Sequence, residues 1–209
     1  MKFTTRQLAT LAVFGALWGV AEISLGSILH TLKIPQTGAI MAGIGLCIAL
    51  TGRLFVPGRG SIIFIGVVAM FLKLFSIGSI LVGPMIGILA EVVIAELVIS
   101  LFKSPSRFGF VLAGGLGVLI TFIQPFITGP ILFGQGILSV WLDTLDVGAR
   151  LFGLPSSAAI AIIAILAGVT LLIGCAAGWL AWEAGRILQT RMLGTEGVVL
   201  SNLEEEIKK

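Results

Sequence analysis

From Leu8 to Leu29 the chain reads LATLAVFGALWGVAEISLGSIL, an apolar run broken by one charge, Glu22. A helix that crosses a bilayer needs roughly 20 mostly apolar residues. In lipid every backbone amide must be satisfied within its own segment, so such a run is a spanning helix. Small residues recur along it. Ala9, Ala12, Ala16 and Gly19 stand three and four apart and share one helical face. That face is expected to be a flat docking surface, since small side chains let another backbone come close. A second line, Gly15, Gly19, Glu22 and Gly26, places a carboxylate in a groove free of bulky neighbours.

The rest of the chain has the same character. Of its 209 residues 57% are hydrophobic and only 11% charged, with mean hydropathy +1.15. A soluble domain carries about 25% charged residues. These values describe an all-α integral membrane protein. The first segment is too long for a signal-peptide core and is expected to stay as a mature helix.

Six spanning helices fit: Leu8–Leu29, then about 38–56, 61–75, 81–102, 108–127 and 157–182, the last prolonged to Arg191. Residues 1–193 then form one transmembrane domain and 194–209 a polar tail. Positive charge concentrates on the cytoplasmic side of membrane proteins. An even count with both termini cytoplasmic gathers Lys2, Arg6, Arg53, Arg59, Lys103, Arg107, Arg186, Arg191, Lys208 and Lys209 inside. Only Lys33, Lys73 and Arg150 remain outside. The longest outer connection, Thr128 to Pro155, is apolar and is expected to be a partly helical interfacial segment with Trp141 at headgroup depth. As a functional alternative it forms a lid over an outward-facing cavity.

Ionisable side chains within spans cost about 2.5–3.5 kcal/mol each on insertion scales, so they are functional candidates by default. Glu22, Lys73, Glu91 and Glu96 qualify. Glu91 and Glu96 are five apart and diverge by about 140°, so they are not expected to serve one site. Glu22, Lys73 and Glu91 are expected to converge on one outward pocket. The plainer alternative is an ion pair between Lys73 and one glutamate that only fastens helices. Glu96 is expected to be structural or a partner contact, and His30 a solvated interface residue. Gln124, Gln135 and Trp141 are candidates for hydrogen bonds and a stacking face. Cys47 and Cys175 are expected to be small core residues, and with one distant histidine they do not make a metal site.

The chain lacks the Gly-x-Ser-x-Gly elbow, the His-Glu-x-x-His pair and the phosphate-binding G-x-x-x-x-G-K-[ST] loop. No enzyme activity, ATP hydrolysis included, is expected of it, and no cofactor is implied. No interleaving of basic and aromatic residues suggests nucleic acid.

At this point the chain resembles a family. Its length, its six expected helices and its basic N-terminus followed by Thr5-Arg6-Gln7-Leu8-Ala9 and Ala12-Val13-Phe14-Gly15-Ala16-Leu17 look like the substrate-binding S component of an energy-coupling factor (ECF) type vitamin transporter. In that family an Ala-x-x-x-Ala motif on the first helix packs against a membrane-embedded coupling subunit, and Ala12 and Ala16 match it. The resemblance implies a cell-membrane protein that binds a vitamin or precursor in the outer half of its bundle. It further implies as partners one coupling (T) subunit and two cytosolic ATPases, and a loaded S component that topples to release substrate inside. Two buried carboxylates suit a cationic or amine-bearing ligand, such as a thiamine-related one. Two rivals stay open. One is a stand-alone proton-coupled carrier using Glu91 or Glu96, although most such carriers are larger. The other is an intramembrane enzyme acting on lipid, for which no nucleophile or metal cluster is visible.

Overall fold

The computed structural model describes residues 3–75 and 82–207, with every side chain among them except those of His30, Phe133, Ser156 and residues 192–207. The expectations for the His30 side chain, for the charges of Lys2, Lys208 and Lys209, and for Leu81 as a helix start lie outside the described residues. Among those described, seven α-helices follow one another and there is no strand: α1 Thr5–Thr31, α2 Thr37–Phe55, α3 Ser61–Lys73, α4 Val82–Ser100, α5 Arg107–Phe133, α6 Ile137–Phe152 and α7 Ala159–Ile207.

Five of the seven are long and apolar enough to cross a membrane: α1, α2, α4, α5 and α7. The architecture is that of a helical membrane bundle. Its outer surface agrees, because α1 exposes Val13, Leu17 and Val20, α4 exposes Leu97, and α7 exposes Leu172 and Leu180. A water-soluble bundle hides such residues, whereas lipid solvates them. α3 is apolar but has 13 residues, about 20 Å at 1.5 Å per residue, which is less than the roughly 30 Å hydrocarbon core.

α2 is the hub. It touches α1, α3, α4, α5 and α7 and is the most buried of the five long helices. Its sequence, TGAIMAGIGLCIALTGRLF, explains this, since alanine and glycine let neighbours approach from several sides. The Trp18 ring of α1, itself fully buried, rests on Gly45. The α1–α3 seam is built the same way. A methyl group on Gly15 would lie 2.6 Å from the Val68 Cβ, and one on Gly19 2.6 Å from the Leu72 Cδ1. Gly19 therefore faces α3, not the outer alanine surface expected of it, and α3 fills the groove that the glycine line was expected to leave open.

The closest seam joins α5 and α7. A side chain on Gly174 would meet the Gly114 carbonyl, and one on Gly178 the Phe110 carbonyl. Here backbone lies on backbone. Phe110 and Trp182 stack edge-on at 5.3 Å, and Arg107 pairs with Glu183 at 3.2 Å. Cys47 and Cys175 are half-buried on α2 and α7, less enclosed than expected.

The expected outer segment is the helix α6. It starts and ends beside glycine, and Gly134 and Gly153, both with positive φ near 60°, terminate α5 and α6 in the left-handed conformation that glycine adopts readily. Val140, Leu145 and Gly148 of α6 are buried, and Leu145 packs with Ile162 and Leu166 of α7. α7 runs on to Ile207, through residues expected to be an open tail. No proline follows Pro155, and leucine and glutamate near the end favour helix.

Replacing Gly178 with valine is expected to push α7 off the α5 backbone. Overpacking of this kind costs about 1–3 kcal/mol. Unfolding of Gly178→Val in detergent should occur at lower temperature, while Gly168→Ala, where an added methyl meets nothing within 4 Å, should not lower the midpoint, since alanine is the better helix former.

Candidate functional site

At the end of the bundle away from Arg6, Arg53, Arg107 and Arg186, the helices leave a cavity of about 300 Å3. α1 contributes Glu22 and Gly26, α3 its last residue, Lys73, α4 Gly83, Gly87 and Glu91, and α5 Thr121 and Gln124, with the start of α2 completing the wall. Four side chains singled out in the sequence, Glu22, Lys73, Glu91 and Gln124, thus line one cavity although they come from four helices.

Their contacts differ. Lys73 Nζ donates to Glu22 Oε2 at 2.8 Å, and both residues are buried. Trp18 Nε1 donates to Glu22 Oε1 at 3.4 Å from one turn earlier. Lys73 therefore fastens α3 to α1 and lines the cavity as well. Gly26 keeps the pair accessible, because any larger residue there would sit 3.7 Å from Lys73 Nζ and 3.8 Å from Glu22 Oε2. Gln124 Nε2 donates to the Gly83 carbonyl at 2.8 Å. Its Oε1 lies over Gly87, 2.7 Å from where a methyl group would be. The amide is thus bonded to Gly83, and Gly87 leaves the room it occupies.

Glu91 is the exception. It is buried, it lines the cavity, and among the described residues its Oε2 has no hydrogen-bond partner. A buried polar atom left unpaired costs about 1–3 kcal/mol. The cavity holds two carboxyls and one ammonium, and the ammonium is committed to Glu22. A ligand group that donates a hydrogen bond, above all a charged N–H, satisfies Glu91 and removes that cost.

Beyond Thr121 and Gly38, which belong to both walls, lies a second and more open cavity of about 350 Å3. α6 covers it with Val140, Asp143 and Thr144, and Gln135 stands at its edge. Pro125 of α5 is part of the same wall and has no N–H to offer the Thr121 carbonyl one turn back.

Trp141 is not brought to either cavity. It is exposed on α6, 6.4 Å from the Phe126 ring, and lines an apolar groove with Phe122, Ile137, Leu138 and Ile163. The cause is helical phase. Val140 and Thr144 face the bundle, and the next residue after Val140 is rotated by about 100°.

Glu96 serves another place, as its angle to Glu91 required. Its Oε2 accepts the Ile62 N–H at 3.0 Å, at the start of α3, and its Oε1 lies 3.6 Å from Arg53 NH2. A carboxylate at a helix N-terminus answers both the free amides and the dipole. Arg53, read from the sequence as a topology marker, is therefore half of a buried pair joining α2 to α4. On α1, Ala16 is exposed and Ala12 half-buried beside Val13 and Leu17, so the alanine face lies on the outside of the bundle.

No protein-family model matches the chain, and no curated protein or solved structure matches it.

Removing one member of a buried ion pair strands the other and costs about 3–5 kcal/mol. Lys73→Met alone is expected to destabilise the bundle by about 3 kcal/mol. The double variant Glu22→Gln/Lys73→Met should recover more than half of that loss, measured as a double-mutant cycle by denaturant unfolding in detergent. A loss in the double variant equal to the sum of the losses in Glu22→Gln and Lys73→Met would show that the pair is not coupled.

Proposed function

We propose that the chain is the substrate-binding S component of an ECF-type transporter, a subunit that captures a small molecule from outside the cell and passes it inward. The observation that carries this reading is the cavity built by Glu22, Lys73, Glu91 and Gln124 at one end of the bundle, with an exposed alanine face on the flank of the same α1. A cup and a docking face on one helix are what a binding subunit needs when its motor is a separate protein. In this reading α3 is a short sixth crossing, both termini are cytoplasmic, α6 lies at the outer interface, and the protein resides in the cell membrane. The coupling subunit grips α1 at Ala12 and Ala16, and two cytosolic ATPases drive the cycle. The ligand is a vitamin or vitamin precursor with a cationic or amine-bearing group for Glu91, thiamine-related compounds being the first to test.

A stand-alone proton-coupled carrier is the second reading, favoured by the unpartnered carboxyl of Glu91. Liposomes separate the two. An S component alone binds its ligand but does not accumulate it under a proton gradient, whereas a carrier does. Mass spectrometry of small molecules that co-purify with the chain would identify the ligand.

Glu91→Gln is expected to weaken ligand binding by tenfold or more, since a hydrogen bond to a charged group is worth about 1.5–3 kcal/mol and each 1.4 kcal/mol is tenfold. Glu96→Gln should lower the unfolding temperature and leave affinity within about twofold. Calorimetry showing the reverse order would discredit this cavity as the binding site. Ala16→Trp should abolish ATP-dependent uptake by the reconstituted complex and spare binding by the isolated chain, because a bulky ring holds helices apart where alanine lets them touch.

A further inference from the structure

The opposite end of the bundle holds a smaller cavity with different chemistry. It lies where the turn after α2 meets the Lys103-Ser104-Pro105-Ser106 connection between α4 and α5, and its volume is about 80 Å3. Two cations line it, Arg53 and Lys103, and no acid does. Arg53 is 8% exposed, and its guanidinium is only half used. NH2 faces Glu96 Oε1 at 3.6 Å, while NH1 is buried and has no hydrogen-bond partner among the described residues. Glu96 does not line the cavity. Its Oε2 is taken by the Ile62 N–H, and its Oε1 also lies 3.4 Å from the Ser100 hydroxyl.

The N-terminus of α5 opens on the same space. Ser106 caps that helix by accepting the Gly109 N–H at 3.1 Å, and both residues line the cavity. The positive end of a 27-residue helix therefore adds to the field of Arg53 and Lys103. A guanidinium fork, a mobile ammonium, serine hydroxyls and a helix N-terminus are together the donor set that recognises a tetrahedral oxyanion. At about 80 Å3 the cavity is far smaller than the one that Glu91 lines, and it suits a compact ion rather than a ring.

We propose that this cavity binds a single phosphate group through Arg53 NH1 and Lys103. Two sources carry that chemistry: free inorganic phosphate, and the headgroup phosphate of a phospholipid whose chains lie along exposed Leu101 and Phe108. The site stands on its own residues and does not depend on what occupies the larger cavity.

The test uses the full chain purified in detergent and, separately, in phospholipid nanodiscs. Lys103→Gln is the main variant, because Lys103 is exposed and its loss does not threaten folding. Arg53→Lys keeps the charge opposite Glu96 while removing the fork. In detergent, inorganic phosphate is titrated and the unfolding midpoint followed. In nanodiscs, phosphatidylglycerol retained on the chain is counted by native mass spectrometry. A midpoint that rises with phosphate in the wild type, with a dose dependence about tenfold weaker in both variants, supports free phosphate as the occupant. Phosphatidylglycerol retained by the wild type and lost from both variants supports a lipid headgroup. Phosphate response and lipid retention that are the same in the wild type and Lys103→Gln overturn the proposal.

Discussion

Lipid tails are as apolar as leucine, so helices in a bilayer gain little by hiding apolar side chains against one another. What holds them is close packing, and close packing needs small residues where backbones meet. The bundle depends on that constraint. At Gly114, Gly174 and Gly178 the backbones of α5 and α7 are in direct contact, and at Gly15 and Gly19 the side chains of Val68 and Leu72 lie against α1. Glycine has the opposite role around the cavity that Glu91 lines. At Gly38 and Gly83 an added methyl meets nothing within 4 Å, so there the missing side chain leaves space. One residue type makes the seams tight and keeps the cup open, and the difference lies in what the facing helix supplies.

The buried charges divide between the two ends of this frame. Glu22 and Lys73 tie α1 to α3 beside the cavity that Glu91 lines, and Glu96 and Arg53 tie α4 to α2 at the other end. Each pair limits the cost of taking charge out of water by giving it a partner and further donors. Each also leaves one polar atom unsatisfied nearby, Glu91 Oε2 at one end and Arg53 NH1 at the other. The two orphans have opposite chemistry. One end of the bundle is short of a donor and the other of an acceptor.

Much of the candidate site was legible because intramembrane charge is expensive. Glu22, Lys73 and Glu91 stand out in apolar runs, and the divergence of Glu91 from Glu96 follows from helical phase alone. Gln124 was legible only as a polar residue near a helix end, and its grip on Gly83 required the neighbouring helix. Whether Trp141 faces a cavity or the surface was not legible, because the phase of α6 relative to the bundle depends on Val140 and Leu145 finding α5 and α7. Arg53 was read as a topology marker because a basic residue at a helix end has two roles that look identical in one dimension. The Gly174 and Gly178 pair went unremarked, since glycine spacing shows its meaning only when the facing backbone at Gly114 is known.

The class of this protein is written along the chain: apolar runs long enough to cross lipid, basic turns between them, and a few acids that must find partners. These are properties of segments, set by the cost of exposing peptide groups and charges to hydrocarbon, and they need no knowledge of neighbours. Tertiary structure alone decided which helix each charge meets, that α3 fills the glycine groove of α1 and that α2 stands at the centre. It also decided that, among the described residues, one carboxylate oxygen and one guanidinium nitrogen are left without partners. Pairing and vacancy are relations between helices distant in the chain, and only their packing brings those atoms within a few ångströms of each other.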